Sequence, residues 1–174
     1  MSKTTLKKEL QQLTKEQLVE QILDLYDKNK SVKKYYDFYL NPKNEKELVE
    51  KCKKMIRKEF FANNAIGIGQ LRFSVCKKII AEFKELTPSP EALADVMLFL
   101  PECACEFTYD YGDMTEQYYN AAYNNFAAAL KFIAKNNLLG LFKLRAEQCV
   151  KWASPCGYGF FDDIKSKYNE YYQE

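Results

Sequence analysis

Histidine is absent from this sequence of 174 residues. That removes the commonest general base near neutral pH and the commonest metal ligand. Ser-His-Asp and Cys-His catalysis are excluded within the chain. The phosphate-cradling pattern Gly-x-x-x-x-Gly-Lys-Ser/Thr is also missing. Gly67-x-Gly69 and Gly157-x-Gly159 lack a third glycine and a preceding strand pattern, which leaves a dinucleotide site without support. No Asn-Gly or Asp-Gly pair is present to close a hairpin, and no period-two alternation is sustained, so strands are not expected. No apolar run reaches 18 residues, so no membrane span is expected. The start, MSKTTLKKEL, is basic but leads into an amphipathic repeat. A secretory signal is therefore not expected, and the cytoplasm is the expected compartment.

What is present is the composition of a folded chain. Apolar residues make up 47% and charged residues 29%, and aromatics reach 15% with 13 tyrosines. Disordered chains are poor in aromatics. A chain of this length forms one domain, or one domain with a small appendage, and buries roughly 70% of the surface it exposes when unfolded. It needs neither disulfide nor metal to fold, and its six cysteines are expected as thiols in a reducing compartment.

Charge is divided along the chain. Residues 1–87 carry 19 Lys and Arg against 12 Asp and Glu, whereas residues 88–174 carry 7 against 12. No Lys or Arg lies between Lys84 and Lys131, a stretch that holds eight acids.

Apolar spacing reads as helix almost throughout. Leu6, Leu10 and Leu13 mark a short first helix. Thr14 with Gln17 forms a capping box before a helix carrying Leu18, Val19, Ile22, Leu23, Leu25 and Tyr26 on one face. SVKKYYDFYL is a third helix that should stop near Pro42, because the residue before proline resists helical geometry. Asn44 with Glu47 repeats the capping pattern, followed by the stripe Leu48, Cys52, Met55, Ile56 and Phe60. IGIGQ, residues 66–70, breaks the pattern, which restarts at Leu71. Ser89 suits an N-cap with Pro90 at the first helical position. Pro101 should kink or end that helix, and Gly112 with Asp113 makes the next break. Helices over 114–136, 138–152 and from about Phe160 complete the chain, with SPCGYG as a loop. The expectation is an all-α fold of about seven to eight helices, arranged as an antiparallel bundle or a short stack of helix pairs. The expected division is a basic N-terminal region, 1–62, and a C-terminal bundle, 63–174, packed as one globular unit.

LKKELQQLTKEQLVEQILDLYDKNKSVKKYYDFYLNP, residues 6–42, resembles the opening of a family of small bacterial proteins known only as a domain of unknown function. The matching positions include Lys15, Glu16, Leu18, Leu23 to Tyr26, Tyr35 to Tyr39, Asn41 and Pro42. The resemblance implies an all-helical fold and a bacterial cytoplasmic origin, and no mechanism. The first two helices also resemble the helix-extended-loop-helix modules that bind DNA. Those place glycine and basic residues in the turn. Here the turn is Thr14, and the second helix carries Glu16, Glu20, Asp24 and Asp27.

PECACEFTYDYGD, residues 101–113, concentrates the remaining chemistry. Glu102, Glu106 and Asp110 recur every four residues, as do Glu91 and Asp95 before them. Like charges at that spacing cost a few tenths of a kcal/mol each, about 0.2–0.5. The row is either a solvated face or the counterpart of the basic helix, or it meets a basic partner or a divalent cation. As a metal site, Glu102, Glu106 and Asp110 would suit Mg²⁺ or Mn²⁺. Cys103, Cys105, Cys149 and Cys156 leave a four-cysteine zinc site open, but residues two apart on a helix point away from each other. The other reading is that the cysteines serve as small buried hydrophobes. Lys46, Lys53, Lys54, Arg57 and Lys58 form the basic helix face, a candidate surface for nucleic acid or an acidic partner. Tyr35, Tyr36 and Tyr39 form a candidate interaction surface, since tyrosine pairs an apolar body with a polar tip. The expected function is a protein-interaction module without catalysis or cofactor, bound to an unknown protein partner and not to a membrane. Nucleic-acid binding through the basic N-terminal half and a carboxylate–metal enzyme are the alternatives.

Overall fold

The computed structural model describes residues 1–41 and 45–172. Among them the chain is all-helical, with nine helices: α1 Lys3–Leu10, α2 Lys15–Lys28, α3 Lys30–Leu40, α4 Glu45–Phe60, α5 Phe73–Glu85, α6 Pro90–Tyr111, α7 Glu116–Lys135, α8 Leu139–Ala153 and α9 Phe160–Tyr172. The expected class holds, and the helix count is close to the expected one. The one β feature among the described residues is an isolated antiparallel bridge between Phe61 and Ile68, in the segment that carries Gly67 and Gly69. A side chain at position 69 would meet the Glu59 carbonyl at 2.3 Å, so glycine is required there. None of these helices is long and apolar enough to cross a membrane.

Local signals place the helix ends where the sequence puts them. The Thr14 hydroxyl accepts from the Gln17 N–H at 3.2 Å, and the Gln17 side chain accepts from the Thr14 N–H at 2.9 Å, closing the capping box. Ser89 caps α6 by accepting from the Ala92 N–H, with Pro90 in the first turn. Gly112, at φ 92°, ends α6 in a backbone region that favours glycine. α3 ends at Leu40. Pro42 and the expected Asn44 cap lie outside the described residues.

Pro101 does not end its helix. α6 runs unbroken through it for 22 residues, although proline cannot donate to the carbonyl one turn back. Thirteen buried side chains along α6 explain why, because their burial outweighs a local cost of about 3 kcal/mol.

The chain divides into two compact units, Met1–Asn44 and Glu45–Glu174. The boundary lies ahead of α4, earlier than the expected division at residue 62. The reason is that α4 packs on α6 and α5 within the second unit. In that unit α6 is the central helix, in contact with α4, α5, α7 and α8, while α9 packs on α7 and α8. α6 buries most of its circumference, with Val96, Leu98, Leu100 and Cys103 fully buried, and keeps its acids on one face. In the first unit the principal contact joins α2 to α3, and no residue of α1, α2 or α3 is buried.

Candidate functional site

In the middle of the acidic row Glu102 is buried and Asp95 and Glu106 are half-buried. Asp95 accepts from Lys53 of α4 at 2.7 Å and from Arg145 of α8. Arg145 also grips Glu102 with two parallel bonds, Nε to Oε1 at 2.7 Å and Nη2 to Oε2 at 2.6 Å. Arg57 of α4 holds Glu106 in the same bidentate way, at 2.7 and 2.9 Å. Three acids of α6 are thus matched by cations from the helices on either side. The acid-rich stretch that lacks Lys and Arg is complemented in space by Lys53, Arg57 and Arg145, because a buried carboxylate needs a paired cation. Asp110 is exposed at the end of the row.

Burial and pairing pull on these groups in opposite directions. Burial pushes the Glu102 carboxyl above its ordinary value, and the hydrogen bonds from Arg145 only partly offset it. Burial works against the Arg145 charge, but its bonds to Glu102 and Asp95 win and hold the guanidinium protonated. Glu59 is held below the ordinary carboxylate range, first by its hydrogen bonds from Arg72 at 2.8 Å.

The carboxylate–metal reading does not fit this geometry. Glu102 and Glu106 are each occupied by a guanidinium, and no group of three Cys, Asp or Glu among the described residues is placed to hold a metal ion. The four-cysteine site fails on the same ground. All six cysteines are free thiols. Burial pushes the Cys76 thiol up to about 12 and raises Cys103 and Cys149 as well, so these groups stay protonated and inert.

The basic surface of α4 is split. Lys53 and Arg57 pair with acids of α6, so the five residues do not form one unengaged basic face. Lys53 also sits over the Phe99 ring at 5.5 Å, and Arg57 over Phe61 at 4.4 Å. Lys46, Lys54 and Lys58 remain exposed. Arg145, which completes the network, carried no local signal in the sequence: it lies 50 residues from Asp95 and 43 from Glu102.

A second polar node ties the far end of α6. The Tyr119 hydroxyl donates to Asp113 at 2.6 Å and accepts from the Met114 N–H at 3.0 Å. Asp113 also accepts from the Gly157 N–H at 2.8 Å. The node pins the α6–α7 and α8–α9 connections to each other. Burial first, then the bond to Asp113, pushes Tyr119 up to about 12.

The tyrosines of the first unit behave differently. Tyr35 and Tyr39 stack at 6.2 Å, and each meets Tyr36 edge-on, at 5.4 and 6.4 Å. Tyr35 and Tyr36 are half-buried, and Tyr39 is 65% exposed. Beside them Leu40 is 70% exposed, and on α2 Val19, Ile22, Leu23 and Leu25 are all exposed. The three tyrosines are legible as a cluster in the sequence, whereas the exposure of this aliphatic face is not, because its spacing is that of an ordinary core-facing helix.

No curated protein and no solved structure matches the chain. The family described as "Family of unknown function (DUF6155)" matches residues 1–154, which include all of α1 to α8. The likeness first visible over residues 6–42 therefore extends through most of the sequence, and the chain belongs to that family of unknown function.

Proposed function

We propose that the chain is a non-catalytic protein-interaction module, with α1–α3 as its docking element. The observation that carries this reading is a contrast within the first unit. Its helices are amphipathic, yet none of their residues is buried. Contiguous exposed apolar surface marks interaction sites in soluble proteins. The tyrosine trio supplies rigid aromatic area with polar tips, a composition enriched at interfaces. The six free thiols support a reducing compartment such as the cytoplasm.

Nucleic-acid binding has less support, since Lys53 and Arg57 are committed to Asp95 and Glu106. The test of the main reading is affinity capture with the full chain against a Leu23→Glu/Leu25→Glu variant. A protein retained by the first and lost by the second, whether foreign or an untagged copy of the chain, supports it. Retention that ignores the substitutions, or no retained protein, refutes it.

A further inference from the structure

We infer that the occupant of the α1–α3 surface is a second copy of the same chain. This rests on the interaction reading above and names its partner. Three properties of the unit lead to it.

The apolar arc of α2 is too broad for one neighbour. At about 100° per residue, Leu25, Leu18, Ile22, Tyr26, Val19 and Leu23 cover about 160° of the helix. Leu18, in a groove with Leu6, Leu10 and Leu13, and Tyr26, bonded to Asp37 of α3, are half-buried. Leu23 and Leu25, near its two margins, stay 57% and 52% exposed. A second helix is needed to cover the rest.

The size of the unit argues the same way. About 40 residues rarely sustain a core without disulfide, metal or oligomerisation. No disulfide is present in this unit, and its described residues include no metal cluster.

The charges identify the partner. α2 carries Glu16, Glu20, Asp24 and Asp27 against Lys15 and Lys28. α1 carries Lys3, Lys7 and Lys8 against Glu9, and α3 carries Lys30, Lys33 and Lys34 against Asp37. An acidic amphipathic helix is thus flanked in sequence by two basic ones. Among the described residues the one ion pair in this unit is Asp24–Lys28, at 2.6 Å within α2 itself. Apart from Asp24, the acids of α2 and the lysines of α1 and α3 make no ion pair among the described residues, and their charges are complementary. In a two-fold pair, the acidic α2 of one copy meets the basic helices of the other, and the reciprocal contact forms by symmetry. A foreign partner would have to reproduce that pattern, which the chain already carries.

The test uses the full chain in light-scattering chromatography over a concentration series. The expected mass rises toward twice 20.4 kDa. Leu23→Glu/Leu25→Glu should hold it at 20.4 kDa throughout, while the fluorescence of the single tryptophan, Trp152 in α8, keeps its native spectrum. Lys30→Glu/Lys34→Glu should weaken self-association about tenfold, and mixing that chain with a Glu20→Lys/Asp27→Lys chain should restore it. Wild-type chain that stays at 20.4 kDa overturns the inference, as does a dimer indifferent to Leu23→Glu/Leu25→Glu. If the wild type is monomeric but loses a captured foreign protein on those substitutions, only the second-copy inference falls and the interaction reading stands.

Discussion

Leu23 and Leu25 of α2 are 57% and 52% exposed, whereas Leu98 and Leu100 of α6 are fully buried. Both pairs sit on helices of good amphipathic or apolar pattern. The difference lies in the neighbours. α6 is enclosed by α4, α5, α7 and α8, while α2 has α3 as its principal contact. Apolar pattern makes a helix able to pack; stability comes from the elements that meet it. The second unit buries a core of its own, whereas no residue of α1, α2 or α3 is buried.

The comparison is sharpest where its expected effects are largest. Phe107 is 2% exposed and packs on Phe60, Phe61, Tyr111 and Tyr118. Phe107→Ala should cost the second unit about 3–5 kcal/mol in urea unfolding followed by Trp152 fluorescence. Next comes Arg145→Ala, which strands the carboxylate of Glu102 in the interior at about 3 kcal/mol. Arg145→Met combined with Glu102→Leu should recover most of that loss. A double variant as unstable as the single would show that the pair does more than neutralise itself.

Alkaline pH should weaken the second unit through its buried acids. Cys76 and Tyr119 are both pushed up to about 12 in the fold, above ordinary values of 9.0 and 10.0. The unfolded chain releases these protons first. The stability they contribute is fully present below about pH 9 and is lost as pH rises through about 12, at up to about 1.4 kcal/mol per group per pH unit. Urea midpoints read by Trp152 should fall steadily above about pH 9, and a flat profile would contradict the burial of those groups. Arg57→Ala removes a half-exposed pair and should cost about 1 kcal/mol or less. The smallest effect belongs to the first unit. Leu23→Ala should shift the Trp152-reported transition by less than about 0.5 kcal/mol. A loss near that of Phe107→Ala would erase the contrast between the two regions.

Much of the helical framework was legible without coordinates. The Thr14–Gln17 box, the Ser89 cap with Pro90, the Gly112 stop and the start of α9 at Phe160 are interactions within a few residues, so the spelling of each segment settles them. The tyrosine trio was legible for the same reason, its rings meeting along one helix. The passage of α6 through Pro101, the partners of the acidic row, the unit boundary ahead of α4 and the exposure of the α2 face were hidden. Each depends on side chains tens of residues away.

Sequence alone determined that this chain is helical, where most helices begin and end, and that histidine chemistry is closed to it. Those are matters of local hydrogen bonding and of composition. Only tertiary structure decided that Asp95, Glu102 and Glu106 belong to Lys53, Arg145 and Arg57, because an ion pair is chosen by proximity in space, which spacing along the chain does not encode. Likewise, Leu23 and Leu98 are the same residue, each within an α-helix. One is left exposed and the other enclosed because burial is a property of the elements that surround a side chain.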